Sequence, residues 1–132
     1  MALKLTLKPN EKVIIGKAVL VNGPTSATLS VENNVPILRE KDILTEAEAT
    51  SYCKKIYLLV QLMYLGEEPN PELASLYSAL ASELQEAVPS TKDLISSITG
   101  DILNGKYYQA LKRAQQLIQH EEELLSHAAD LS

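Results

Sequence analysis

The apolar period of this chain changes at Thr45 from two residues to about 3.6, and no other feature limits its fold as strongly. Before that point Leu3, Leu5 and Leu7 alternate with Lys4, Thr6 and Lys8, the pattern of a half-buried strand. Pro9-Asn10 stops the strand in a turn. Val13-Ile14-Ile15 and Ala18 to Val21 are apolar runs broken at Gly16, and Asn22-Gly23-Pro24 turns the chain again. Ala27, Leu29 and Val31 alternate with Thr28, Ser30 and Glu32. After Asn33-Asn34, Val35 to Leu38 reads as one more short strand, and Pro36 marks it as an edge. Four or five short strands predict a small antiparallel sheet or partial barrel.

From Thr45 onward the signals are helical. Thr45-Glu46-Ala47-Glu48 has the form of a capping box, and the helix it opens runs to Leu65 and stops at Gly66. Asn70-Pro71 pairs an N-cap with proline at the first helical position, and Pro89 ends that helix after Val88. Ser90 to Asp93 opens a third helix that closes near Asn104-Gly105. A fourth, from Lys106, carries Tyr107, Leu111, Ala114, Ile118 and Leu125 on one face. Short connections favour antiparallel neighbours. The fold class is therefore α+β: a small N-terminal antiparallel β lobe, residues 1–44, packed with a C-terminal antiparallel bundle of about four helices, residues 45–132.

Charge divides at the same place. The first 44 residues hold six basic against four acidic side chains, a balance of +2, whereas the rest carry −7. Such a split predicts different jobs for the two parts, with polyanions drawn to the first. The longest uncharged apolar run, Ile56 to Leu65, is interrupted by Gln61 and is far shorter than the roughly 20 residues of a membrane span. The start, MALKLTLKP, lacks the apolar stretch of a signal peptide. These features predict a cytoplasmic protein that does not engage membranes.

No catalytic set assembles. The glycines form neither G-x-G-x-x-G nor a P-loop, and Ser90, Ser96 and Ser97 lie in no nucleophile elbow. Cys53 is the single cysteine, beside Lys54 and Lys55 but with no histidine near in sequence, and reads as a buried structural thiol. His120 and His127 are seven residues apart, not the three or four of helical ligand pairs, and read as surface histidines near an exposed acidic face at Glu121–Glu123. The expectation is a binding protein without catalytic residues, metal or cofactor.

Two binding surfaces are candidates. Lys4, Thr6 and Lys8 project from one face of the first strand, Lys12 follows its turn, and Arg39 and Lys41 end the last strand. If the first and last strands pair, these residues make one basic edge able to hold phosphates, with Arg39 as the bidentate donor. The alternative is a solvated sheet face. On the helical side, Tyr57, Tyr64 and Tyr77 either line a groove for a protein partner or fill the bundle core. Of Tyr107 and Tyr108, one is expected to point inward and the other outward.

Several of these segments together resemble the FlbT family of flagellum biosynthesis repressors. They are Leu3 to Lys12 (LKLTLKPNEK), Leu38 to Leu44 (LREKDIL), Ile56-Tyr57, Gln61 to Leu65 (QLMYL) and Gly105 to Lys112 (GKYYQALK), in order over nearly the whole chain. The resemblance implies a post-transcriptional regulator that associates with the 5′ untranslated region of flagellin mRNA and promotes its turnover. It couples flagellin synthesis to flagellum assembly. It implies the flagellin mRNA leader as partner, and leaves room for flagellin or another flagellar regulatory protein, and for a homodimer.

A second similarity covers the first 44 residues alone. Leu5-Thr6 followed by Glu11, then a β-branched run and Gly16, then Arg39-Glu40-Lys41-Asp42-Ile43, is similar to the carbon storage regulator CsrA. Those small β dimers bind mRNA leaders through basic residues on their first and last strands. By that resemblance Arg39 falls on the binding arginine. Lys8 falls on one of two adjacent basic positions, and Leu7 replaces the other.

Overall fold

The computed structural model describes residues 3–66 and 68–131. The chain forms two compact units that divide between Ile43 and Leu44.

The first unit holds five strands, β1 (Leu3–Leu7), β2 (Lys12–Ile15), β3 (Ala18–Val21), β4 (Ala27–Val31) and β5 (Ile37–Arg39). β1 pairs antiparallel with β4, placing Leu5 opposite Leu29. β2 lies between β3 and β5, with Val13 opposite both Leu20 and Arg39. Gly16, at φ +61°, gives the β2–β3 hairpin its two-residue loop, a position where a side chain would strain the backbone. Leu5, Leu7 and Val13 are buried, and Ile15, Leu29, Val31 and Ile37 pack on them. Leu3 continues the alternation of β1 but is exposed.

The pairing corrects one expectation. The first and last strands are not neighbours, so no single basic edge forms. β4 matches β1 in length and alternation over five residues, whereas β5 has only three and completes the sheet on β2. β5 does lie at a sheet edge, as Pro36 indicates.

The second unit contains α1 (Tyr52–Leu65), α2 (Pro71–Ala87), α3 (Lys92–Leu103) and α4 (Tyr107–Leu131). The Thr45–Glu48 box forms, with the Glu48 carboxylate accepting from the Thr45 N–H at 3.1 Å and from its hydroxyl at 2.7 Å. It caps only a single 3-10 turn, Glu46–Glu48. The first long helix begins later because Ser51 is a second cap, its hydroxyl accepting from the Lys54 N–H at 3.2 Å.

α1 and α4 run antiparallel, as three cross-pairs require. Ser51 Oγ donates to Glu121 at 2.8 Å, Gln115 Nε2 donates to the Tyr57 hydroxyl at 3.4 Å, and the Tyr64 ring meets that of Tyr108. Ile56, Val60, Ile95, Ile98, Leu111, Ala114 and Leu117 are buried. Gly105, at φ +71°, ends α3: its N–H donates to Ile102 O and that of Lys106 to Asp101 O, two bonds that occupy otherwise open carbonyls. On α4, Leu111 and Ala114 are buried and Tyr107 and Ile118 half-buried, but Leu125 is exposed. α4 has 25 residues against 12 to 17 in the other helices, and side chains 122–128 lie in the open.

Gln61, the polar break in the apolar run of α1, is buried. Its carboxamide accepts from the Leu44 N–H at 2.8 Å and donates to the Leu44 carbonyl at 3.0 Å, satisfying both backbone groups of the residue where this unit begins. Among the described residues no helix is long and apolar enough to cross a membrane.

Candidate nucleic-acid interface

Three basic residues of the first unit, Lys8, Arg39 and Lys41, converge through loops. After β1, Pro9 and Asn10 reverse the chain, with Asn10 at φ 62°, a left-handed conformation that asparagine tolerates. Glu11 folds back so that its carboxylate accepts from the Lys8 N–H at 2.8 Å, while the Glu11 N–H donates to Lys8 O at 3.1 Å. Asn22 ties this turn to the next loop by donating from Nδ2 to Lys8 O at 2.8 Å and to Thr25 O at 2.9 Å.

Arg39, at the end of β5, reaches into the same corner. Its Nε and Nη2 donate to the Glu11 carboxylate at 3.1 to 3.2 Å, and Nη2 also donates to Thr6 O at 2.6 Å. The Lys12 N–H donates to the Glu40 carboxylate at 2.8 Å. The result is an open cleft of about 600 Å³ lined by Lys8, Pro9, Asn10, Glu11, Arg39, Glu40 and Lys41. The Lys8 N–H bond, aided by Arg39 against a smaller opposing effect of burial, holds the Glu11 carboxyl below its usual value.

Lys8, Arg39 and Lys41 thus share one cleft. Lys12 and Thr6 do not line it, though the Lys12 N–H bonds Glu40 and the Thr6 carbonyl accepts from Arg39, and Lys4 lies further back on β1, opposite Ser30. The guanidinium fork of Arg39 is already engaged by Glu11, so it braces the two loops rather than standing open to a phosphate. Lys4, Lys8, Lys12 and Lys41 are exposed, and their ammonium groups are the cations presented outward.

The tyrosines sort differently from the partner-groove reading. Tyr57 and Tyr77 are each only 3% exposed and fill the bundle. The Tyr77 hydroxyl hydrogen-bonds Thr99 Oγ1 at 2.8 Å. Tyr64 is half-buried and packs on Tyr108, ring centroids 5.6 Å apart. The exposed rings are Tyr52 and Tyr108, and Lys112 Nζ lies 5.2 Å from the Tyr108 ring centre. The i, i+4 spacing of Tyr108 and Lys112 is the sequence signal that marks this pair. Tyr107 is the more buried of the Tyr107-Tyr108 pair.

Cys53 is buried, and that burial, with the Glu121 carboxylate beside it, pushes its thiol up to about 12. His120 Nε2 hydrogen-bonds Ser90 Oγ at 2.9 Å. Among the described residues no three of His, Cys, Asp and Glu come together as a metal-holding group. The helical unit has its own hollow of about 380 Å³, lined mainly by apolar residues including Met63, Pro71, Ile102, Leu103 and Tyr107.

Comparison with known proteins gives one consistent result. The family described as "Flagellar protein FlbT" matches residues 3–125. A probable flagellum biosynthesis repressor protein FlbT of Rhodopseudomonas palustris is 45% identical over 126 residues, covering 96% of this chain and 99% of that one. The flagellum biosynthesis repressor protein FlbT of Caulobacter vibrioides is 33% identical over 131 residues, covering 98% and 93%. A Bradyrhizobium diazoefficiens relative, probable flagellum biosynthesis repressor protein FlbT 1, is 45% identical over 94% of this chain and 85% of its own. No solved structure matches this chain.

Proposed function

The chain belongs to the FlbT family of flagellar proteins, and from that premise we propose that it is a cytoplasmic regulator of flagellin synthesis acting after transcription. It binds the 5′ untranslated region of flagellin mRNA and promotes its degradation or blocks its translation. The relatives named as repressors of flagellum biosynthesis support the regulatory part of this reading. The observation that carries the RNA part is the cleft where Lys8 and Lys41 open to solvent beside a braced Arg39.

The cleft suits phosphate contacts better than base reading. Among the described residues no aromatic side chain lines it, so it offers no stacking surface. Lysine ammonium groups are compact charges that attract phosphate without demanding one geometry. Lys4, Lys8, Lys12 and Lys41 supply most of the affinity in this reading, and binding weakens as salt rises. Arg39 and Glu11 hold the loops that present them. The protein occupies the leader or presents it to a nuclease.

A filter-binding titration with flagellin leader RNA, beside an unrelated RNA of equal length and purified flagellin, tests the proposal. Salt-sensitive binding that favours the leader supports it; binding to flagellin alone contradicts it. The apolar hollow of the acidic helical unit favours a second reading, an adaptor or chaperone for a flagellar protein without direct RNA contact.

A further inference from the structure

Strand β3 is a sheet edge without protection. β2 covers one side, and no strand pairs with the other among the described residues. All four residues are exposed: Ala18, Val19 at 60%, Leu20 at 41% and Val21 at 63%. Proteins that keep such edges free place a lysine, a proline or a bulge on them. β3 carries none within its span.

The hydrogen bonds of β2 fix which backbone groups are open. Lys12 gives its N–H to Glu40, and Gly16 gives its N–H to Pro36 O, so the even residues of β2 face β5. Val13 and Ile15 face the other way, toward their partners Leu20 and Ala18. By alternation, Val19 and Val21 direct their N–H and C=O groups away from β2, out of the sheet.

We propose that β3 pairs antiparallel with β3 of a second copy of this chain, about a twofold axis at Leu20. In this register Val19 of each copy lies opposite Val21 of the other, and each pair exchanges two hydrogen bonds using strand residues only. Leu20 faces its own counterpart in a non-hydrogen-bonded pair. Lys17 falls opposite Gly23, so no like charges meet. The two three-stranded sheets become one of six strands, and the twofold axis closes the assembly at two copies; joining β3 to a different edge would be open-ended. A contact of four strand residues a side covers less than the roughly 1,200 Å² of a standard interface, so the dimer depends on concentration.

Sedimentation equilibrium of the full chain over a wide concentration range tests this. The expected mass rises from 14.5 kDa toward twice that value. Val19→Lys with Val21→Lys, both at exposed sites, retains the parent's circular dichroism and stays monomeric throughout. Under oxidation Leu20→Cys forms a reducible covalent dimer, because non-hydrogen-bonded antiparallel partners lie within disulfide reach at about 4.5 Å between Cα atoms. Lys17→Cys does not, and buried Cys53 does not compete. A parent that stays monomeric overturns the proposal. So does a double-lysine variant that dimerises as the parent does, or a Leu20→Cys variant that cross-links no better than Lys17→Cys.

Discussion

Arg39 and Glu11, 28 residues apart in sequence, meet at 3.1 Å and join the end of β5 to the turn that follows β1. Glu11 simultaneously accepts from the Lys8 N–H, so one carboxylate sets the backbone beside the lysine and holds the arginine across from it. The carboxyl is held below its usual value of 4.5. Its contribution is therefore present above that value and is lost as pH falls through the lower, folded value. The Lys8 amide resonance should shift with a midpoint below 4.5, and Glu11→Gln should abolish that titration. A Lys8 amide that titrates at the usual value would show that the bond does not favour the carboxylate.

Gln61→Leu should destabilise the protein although it makes an apolar helix face more apolar. The substitution leaves the N–H and C=O of Leu44 without their partners. Each unpaired backbone group costs about 1–3 kcal/mol when water cannot reach it. Chemical denaturation should show a loss of that order, and an unchanged or raised midpoint would mean that water replaces the carboxamide.

Cys53 should resist thiol reagents at pH 8 in the folded protein and react fully in denaturant, because it is buried and its thiol is pushed up to about 12. The unfolded chain ionises this thiol first, so the folded state loses stability as pH rises from about 9 toward 12. Cys53→Ala should remove part of that decline. Rapid labelling of the folded protein would contradict the burial.

Sequence and structure agree where a local signal acts alone. The alternation at Leu5 and Leu7, the Gly16 loop, the Asn70-Pro71 start and the Gly105 stop each depend on neighbours within a few residues. The divergences arise where distant groups compete. The Thr45 box is genuine, yet Ser51 caps the longer helix because the chain does not become α-helical until Tyr52. Strand order depends on which lengths and faces match, which put β1 beside β4 and left Arg39 to reach Thr6 by its side chain. The cleft residues are visible in the sequence as basic positions, but the commitment of Arg39 to Glu11 needs a pairing across 28 residues that no spacing rule encodes. For Tyr57 and Tyr77 the sequence leaves a partner groove and the bundle core as alternatives, and burial decides for the core.

The most direct test of RNA recognition by the β lobe is the salt dependence of leader-RNA binding by the parent and by Lys8→Ala with Lys41→Ala. Both lysines are exposed and line the cleft, so the variant should keep its fold. The expected result is weaker binding and a salt slope shallower by about 1.4, since each single-strand phosphate that a lysine neutralises adds roughly 0.7 to the slope. Unchanged affinity and an unchanged slope would contradict the assignment of the RNA surface to this cleft.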